Sequence, residues 1–430
     1  MTASLDSWLA RLEKLHPRGI DLGLDRVRAV HEALGAPHPG ERVVTVAGTN
    51  GKGSTVATMD AVLRAHGAGV GQTTSPHLVR FNERIAIDGV AVDDASIVAA
   101  FERIDAARGD VTLTYFEFSI LAALDLLARA GRPWALLEVG LGGRLDAVNV
   151  VDPDVAVITA VDLDHQEWLG PDRETIGREK AGILRRRRPL VLGDPDPPAS
   201  VLARARELDA PCLRLGVDFA LEAEGDGRLR FRGRDARGEP CVLRGLPVPA
   251  LALDDVATGL QALLVAGLVP DLAAVRRAFA TVTLAGRLQR LDADGVPVVL
   301  DVAHNPHAAA HLAGRLEPGV PTLALFGTFA DKDAPAMVRL LEERVDRWYL
   351  VDTPGPRGRE AAALDACLAE AGLAVETRVC GDLAAGLRAA LADARARPGT
   401  RVLVLGSFTV VGAALERLRP AVAGAAGAAP

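Results

Sequence analysis

The stretch VTVAGTNGKGSTVATM, residues 44–59, sets Lys52 among Gly48, Gly51 and Gly53, between an apolar run and a segment of helical spacing. A strand ending at Ala47, a loop from Gly48 to Gly53 and a helix from near Ser54 would aim unpaired backbone N–H groups above the loop, where an anion fits. The glycines allow positive φ and close backbone approach, Lys52 adds a point charge suited to β- and γ-phosphates, and Ser54 or Thr55 offers a hydroxyl. The loop departs from the general G-x-x-x-x-G-K-[ST] pattern: Val46 stands where the first glycine would be, and Gly53 separates the lysine from the hydroxyl. A turn made only for packing has no need of a lysine. The segment is therefore read as a phosphate cradle of Thr49, Asn50, Gly51, Lys52, Gly53 and Ser54.

Other chemistry-bearing residues stand where apolar runs end. Glu138 closes WALLE, and His165 follows VAVITAV within DLDHQEW; in open α/β sheets such strand ends face the ligand crevice. Hard oxygen ligands and a few waters are what Mg2+ takes beside nucleotide phosphates. By themselves His165 reads as a cap or core histidine and Lys180, in GREKAGI, as a surface lysine on a helix that Asp172 caps, with Ile176 and Ile183 on its buried side. In DVAHNPHA, Asp301 ends a strand, while His304 and Asn305 precede a helix opened by Pro306 or His307. LTYFEF gathers Tyr115, Phe116 and Phe118 in a chain with two tyrosines and ten phenylalanines. Such rings would stack on a flat heterocycle, although Phe118 lies along the helical run FSILAALDLL and suits a core.

The elements that position these groups alternate. RVVTVAG, WALLEVG, VAVITAV and PLVLGD, each followed by an amphipathic stretch, predict an α/β fold with a P-loop-type parallel sheet. Between Phe219 and Arg244 short segments rich in Gly and Arg predict β-hairpins, and a helical region follows over 254–279. AGRLQRLDADGVPVVLDVAHNP reads as a linker running into a new strand, after which TLALFGT, RWYLVDT and RVLVLGS alternate with helices. The expected domains are 1–285, a smaller Rossmann-like α/β domain over 286–420, and a flexible tail at 421–430. RRRR at 185–188 reads as a solvated helix end.

Composition narrows the classes. With 49% hydrophobic and 24% charged residues among 430, the chain is globular with room for two or three domains. No apolar run approaches the roughly 18 residues of a membrane helix. The charged first segment does not resemble a signal peptide, and the four cysteines show no metal or redox spacing, so a cytoplasmic protein is expected. A net charge of -7 argues against bulk nucleic-acid binding and leaves small molecules as the expected partners.

The loop GTNGKGS resembles that of the Mur-type ATP-dependent amide ligases, and within them the folate branch of folylpolyglutamate synthase and dihydrofolate synthase. SPHLVRFNERIAIDG, LTYFEF, LEVGLGGRLDAVN, LDHQEWLGPDRETIGREKAGI, GRLQ, LDVAHNPHA and GTFADKD match that branch in order. The resemblance implies an ATP site with two Mg2+ ions, one held by Ser75 and Glu138 and the second by His165, with Lys180 as a carbamate helping to hold the second. It also implies that Arg287 and Asp301 reach ATP from the second domain, so that the domains close before chemistry, and that His304 binds or orients. Asp255 stands where the family commonly presents an asparagine near the nucleotide. Thr114, Tyr115, Phe116 and Glu117, with Leu145 and Asp146, match a dihydropteroate pocket.

TYFE resembles the enzymes that make dihydrofolate more than those that only extend it. The implied function is ATP-dependent joining of L-glutamate to dihydropteroate, and in the bifunctional reading to reduced folates, by a monomer. The alternatives are an extension-only enzyme or another Mur-type ligase. A cell-wall ligase would carry a separate N-terminal nucleotide-sugar domain, for which the residues before Gly48 leave little room. A nucleotide-exchange switch would not explain the DVAHNP turn.

Overall fold

The computed structural model describes residues 4–426, with side chains up to Leu418. The chain divides into two compact units: the residues up to His77 with Phe81–Val282, and Leu78–Arg80 with the chain from Thr283 on.

In the first unit the strands are β1 Arg42–Ala47, β2 Val70–Thr73, β3 Ile85–Ile87, β4 Val90–Ala91, β5 Trp134–Glu138, β6 Val155–Ile158, β7 Leu190–Leu192 and β8 Cys212–Arg214. They form one eight-stranded sheet of order β4-β3-β2-β5-β1-β6-β7-β8. From β2 to β8 every pair is parallel, and β5, β6 and β7 are buried along their whole length, which is why they read as unbroken apolar runs. The sheet is not purely parallel as expected. β3 runs antiparallel to β2, and β4 folds back on β3 through Asp88 and Gly89, both at positive φ, as a two-residue hairpin requires.

Helix Lys52–Ala65 leaves the β1 loop and lies against Leu253–Val265, where Gly259 lets Thr55 and Thr58 approach. The helical region predicted over 254–279 is two helices, the second being Leu272–Thr281 capped by Asp271. Helix Tyr115–Ala130 is buried along most of its length, and Phe118 packs edge-on to Phe101 with ring centres 5.4 Å apart. Phe118 is thus a core residue. The Gly- and Arg-rich segment forms an antiparallel sheet of β9 Ala220–Ala223, β10 Leu229–Arg234 and β11 Pro240–Leu246. The RRRR segment follows a short 3-10 turn, Ala181–Ile183, rather than ending a helix, and Arg185, Arg186 and Arg188 pair with Asp152, Asp209 and Asp154.

In the second unit β12 Gln289–Ala293, β13 Val296–Asp301, β14 Thr322–Phe326, β15 Arg347–Val351, β16 Thr377–Gly381 and β17 Arg401–Leu405 take the order β12-β13-β17-β14-β15-β16. All pairs are parallel except β12 with β13. Half of the expected linker is therefore a strand, joined to β13 through Asp294 and Gly295, again both at positive φ. Helix Phe408–Ala426 runs into the segment read as a tail, and residues 427–430 lie outside the described residues.

Candidate active site

Four neighbouring strands of the first unit, β2, β5, β1 and β6, present their C-terminal ends side by side. Ser75 follows β2, Glu138 ends β5, the Lys52 loop follows β1, and the Asp162–His165 segment follows β6. Glu138 is 5% exposed, and its Oε2 accepts the Ser75 N–H at 3.0 Å. On the other side of β1 the loop is tied to the β6 exit. Thr49 N donates to Ala160 O at 2.7 Å, Thr49 Oγ1 donates to Asp162 O at 2.9 Å, and Thr159 Oγ1 donates to Asn50 O at 2.6 Å. Lys52 Nζ reaches back to the carbonyls of Gly48 and Thr49 at 3.0 and 3.2 Å.

Gly51, at φ +87, starts the helix, and a methyl placed there would overlap the Asp255 carboxylate. Asp255 therefore borders the loop, where the asparagine was expected. At Gly48 a methyl would overlap Thr159 Oγ1 and stand 3.0 Å from its Cβ. Thr159 is buried and holds the loop through Asn50 O, so it has nowhere to retreat without losing that bond. Gly48→Ala should weaken ADP binding at least about 10-fold and lower stability by about 1–3 kcal/mol, read by titration calorimetry and thermal melting.

Lys180 ends helix Arg173–Lys180, capped by Asp172, and is not a surface residue: only 3% of it is exposed. Burial first, then the charge of Lys52, pulls its ammonium from the ordinary range down to about 7, with Asp164 and Asp146 acting in the opposite sense. Lys52, Asp164 and Asp146 thus all act on Lys180. Asp146 is 2% exposed and accepts N–H bonds from Gly140, Leu141 and Val148 at 3.1, 2.8 and 3.0 Å, yet burial dominates and raises its carboxyl to about 6. Leu145 beside it is partly exposed, and Arg144 N–H to Glu179 O at 2.8 Å ties this turn to the Lys180 helix. His165 stands in the left-handed conformation before helix Gln166–Leu169, its side chain 35% exposed.

Thr114 and Glu117 make a capping box: Thr114 Oγ1 accepts the Glu117 N–H at 3.2 Å, and Glu117 Oε2 accepts the Thr114 N–H at 2.7 Å. Glu117 Oε1 also takes Arg26 Nη2 at 2.9 Å. Phe116 covers Gly140, whose missing side chain leaves room for the ring, and this joins the aromatic segment to the Gly140–Asp146 turn. Tyr115 lies edge-on to Phe81 at 6.1 Å. The first unit thus gathers Ser75, Glu138, the cradle, Asp255, Lys180 and the Asp162–His165 segment on the strand ends, with Thr114–Glu117 and Asp146 joined around Gly140.

In the second unit Asp301 Oδ2 accepts the Leu288 N–H and Oδ1 the Ala303 N–H, each at 2.9 Å. Burial raises its carboxyl, and Arg287 next to it works in the opposite direction. Arg287 lies 5.6 Å from the Phe408 ring centre, and the His304 ring 5.9 Å. Asn305 caps helix Pro306–Arg315.

The residues fit a nucleotide and a divalent ion. Lys52 brings a cation to the loop that opens helix Lys52–Ala65, and Glu138 is a sheltered carboxylate on the adjacent strand end. Among the described residues no three His, Cys, Asp or Glu side chains group to hold a metal. Mg2+ needs no such cage, since it is commonly held by one or two carboxylates together with phosphates and waters. Sequence reasoning missed Thr159, Asp162 and Arg26. Thr and Asp just after an apolar strand were the available signal for the first two, whereas nothing local marks Arg26, 91 positions from its partner.

Residues 286–408 match the family described as Mur ligase, glutamate ligase domain. The chain is 43% identical over 416 residues to the dihydrofolate synthase/folylpolyglutamate synthase of Escherichia coli (strain K12), covering 96% of this chain and 95% of that one. Among solved structures, E. coli FolC in complex with DHPP and ADP is similar with a TM-score of 0.90, at 42% identity over 97% of this chain and 98% of that one. A bifunctional folylpolyglutamate synthase/dihydrofolate synthase with Mn, AMPPNP and L-glutamate bound is similar with a TM-score of 0.89, at 41% identity over 97% and 98%.

Proposed function

This chain belongs to the dihydrofolate synthase/folylpolyglutamate synthase family, and from that premise we propose that it joins L-glutamate to dihydropteroate, and then to reduced folates, with conversion of ATP to ADP and phosphate. A carboxylate does not react with an amine at useful rates, because its charge repels the nucleophile and oxide is a poor leaving group. A carboxylate oxygen of the acid attacks the γ-phosphorus, an O–P bond forms, the bond to the bridging oxygen breaks, and ADP leaves. The glutamate amine then attacks the acyl carbon, the C–N bond forms, inorganic phosphate departs with the C–O electron pair, and the amine gives up a proton.

In this reading the chain contributes positioning and charge neutralisation. Thr49, Asn50, Gly51, Lys52, Gly53 and Ser54 cradle the phosphates, with Asp255, Arg287 and Asp301 as further nucleotide contacts. Ser75 and Glu138 hold one divalent ion, and His165 with a carbamylated Lys180 holds a second. Bound there, such ions supply Lewis-acid neutralisation of the transferring phosphoryl group. Carbamate formation requires a neutral amine, which a lysine held at about 7 supplies in quantity at neutral pH. Thr114, Tyr115, Phe116, Glu117, Leu145 and Asp146 receive the pterin-bearing acid, Tyr115 and Phe116 by ring contact.

What supports this most directly is the convergence of Ser75, Glu138, the Lys52 loop and the His165 segment on four adjacent strand ends. The ligands held by the similar structures, DHPP, ADP, AMPPNP, Mn and L-glutamate, are the classes the reading requires. Among the described residues no helix is long and apolar enough to cross a membrane. A cytoplasmic monomer acting on small molecules, without nucleic acid, completes the proposal.

Purified protein with ATP, Mg2+ and L-glutamate should release ADP with either dihydropteroate or tetrahydrofolate, and only when glutamate is present. Turnover with tetrahydrofolate alone would reduce the reading to an extension enzyme, and ADP release without either acid would end it.

A further inference from the structure

We propose that Arg84 receives the carboxylate of the pterin-bearing acid and holds it between the Tyr115 ring and the strand end that carries Glu138; this rests on the ligase reading above. Arg84 ends the 3-10 turn Phe81–Arg84 and is partly buried. Its guanidinium is fixed by three neighbours. Nε donates to His77 Nδ1 at 2.8 Å, and the guanidinium carbon stands 5.7 Å from the ring centres of both Phe81 and Tyr115.

The two terminal nitrogens of the fork are used differently. Among the described residues neither Nη1 nor Nη2 has a hydrogen-bond partner, and neither is fully buried. Two other sheltered arginines of this unit do have carboxylates: Arg26 has Asp21 and Glu117, and Arg103 has Asp125. A cation taken partly out of water without a paired anion is costly, and the cost is removed when a ligand brings the anion. Glu83 and Glu138 attract the Arg84 charge, and neither is hydrogen-bonded to it.

The shape of the fork selects the anion. A planar guanidinium with both ends open accepts a carboxylate through two parallel bonds. The acid to be activated must reach from a flat ring system to the transferring phosphoryl group, and Arg84 spans that interval, touching Tyr115 on one side and lying in the field of Glu138 on the other. Neutralising the carboxylate there also lets it approach a polyanion, which unscreened repulsion would oppose.

The test is equilibrium binding to the full chain, in Mg2+ and ADP, of dihydropteroate and of the analogue that lacks only the carboxylate. The wild-type protein should prefer the acid by about 10- to 100-fold, the range for a charge-assisted pair. Arg84→Gln should bring the two affinities within about 2-fold while the analogue's own affinity stays put, and Arg84→Lys should keep part of the preference. ADP affinity serves as the folding control, and Arg84→Lys carries the test if Arg84→Gln fails it. Full preference retained in Arg84→Gln, equal weakening of both compounds, or a raised KM for glutamate alone would overturn the assignment. A wild-type protein that binds neither compound would instead overturn the ligase reading, and the assignment with it.

Discussion

Lys52→Ala should lose about a thousandfold in dihydropteroate-dependent ADP release, the loss expected when a preorganised charge is withdrawn from a transferring phosphoryl group. The expectation follows from how the side chain is held. Lys52 Nζ is tethered to Gly48 O and Thr49 O in a loop that is itself latched to β6 through Thr159 and Asp162. A cation fixed in this way loses little order when a phosphate arrives. Removing it should leave the cradle's backbone in place, since no ladder bond depends on it, so the melting temperature should barely move while kcat collapses. An unchanged kcat would sink the mechanism.

Lys180→Met should produce a protein that is more resistant to heat and nearly inactive, down about 100-fold. The sign follows from the proton balance. An unfolded lysine titrates at about 10.4, whereas in the folded chain burial holds Lys180 at about 7. Between these values the unfolded chain binds the extra proton, so the wild type gains stability as pH rises from 7 toward the unfolded value, and below 7 it carries the full penalty. A methionine of similar length removes the penalty, so the gain in melting temperature should be a few degrees near pH 6.5 and should fade as the pH is raised. If the carbamate forms, removing CO2 should also slow the wild type, and bicarbonate should restore it. Lys180→Met should ignore both treatments, and a fully active variant would exclude the role.

The contrast between these two lysines shows what a sequence displays. Lys52 stands in a loop whose glycines and flanking apolar runs are all within a few residues, so both the turn and its anion preference are local and legible. Lys180 looks like any helix lysine. The turn at Gly143 and Arg144, more than thirty positions earlier, packs on the backbone of its helix end, and only resemblance to a family singles it out. Strands buried on both faces announced themselves as apolar runs, whereas β3, β4 and β12 are short or edge elements with mixed composition. The Asp88-Gly89 and Asp294-Gly295 pairs were nevertheless hairpin signals available to be read. The Arg84–His77 and Arg26–Glu117 pairings join separate elements of the packed unit, and neither residue stands out by type or spacing.

The Thr114–Glu117 box carries a consequence for anyone wishing to redirect the enzyme toward other acids. Two of the four residues in that segment are already committed to starting a buried helix, and one of them is also anchored to Arg26. Retuning substrate choice there by altering Glu117 would unravel the scaffold together with the preference. Tyr115 and Phe116, whose rings lie outside the box but pack on Phe81 and Gly140, are the positions where a change would leave the cap intact, which makes aromatic shape rather than charge the adjustable dial of the proposed pocket wall.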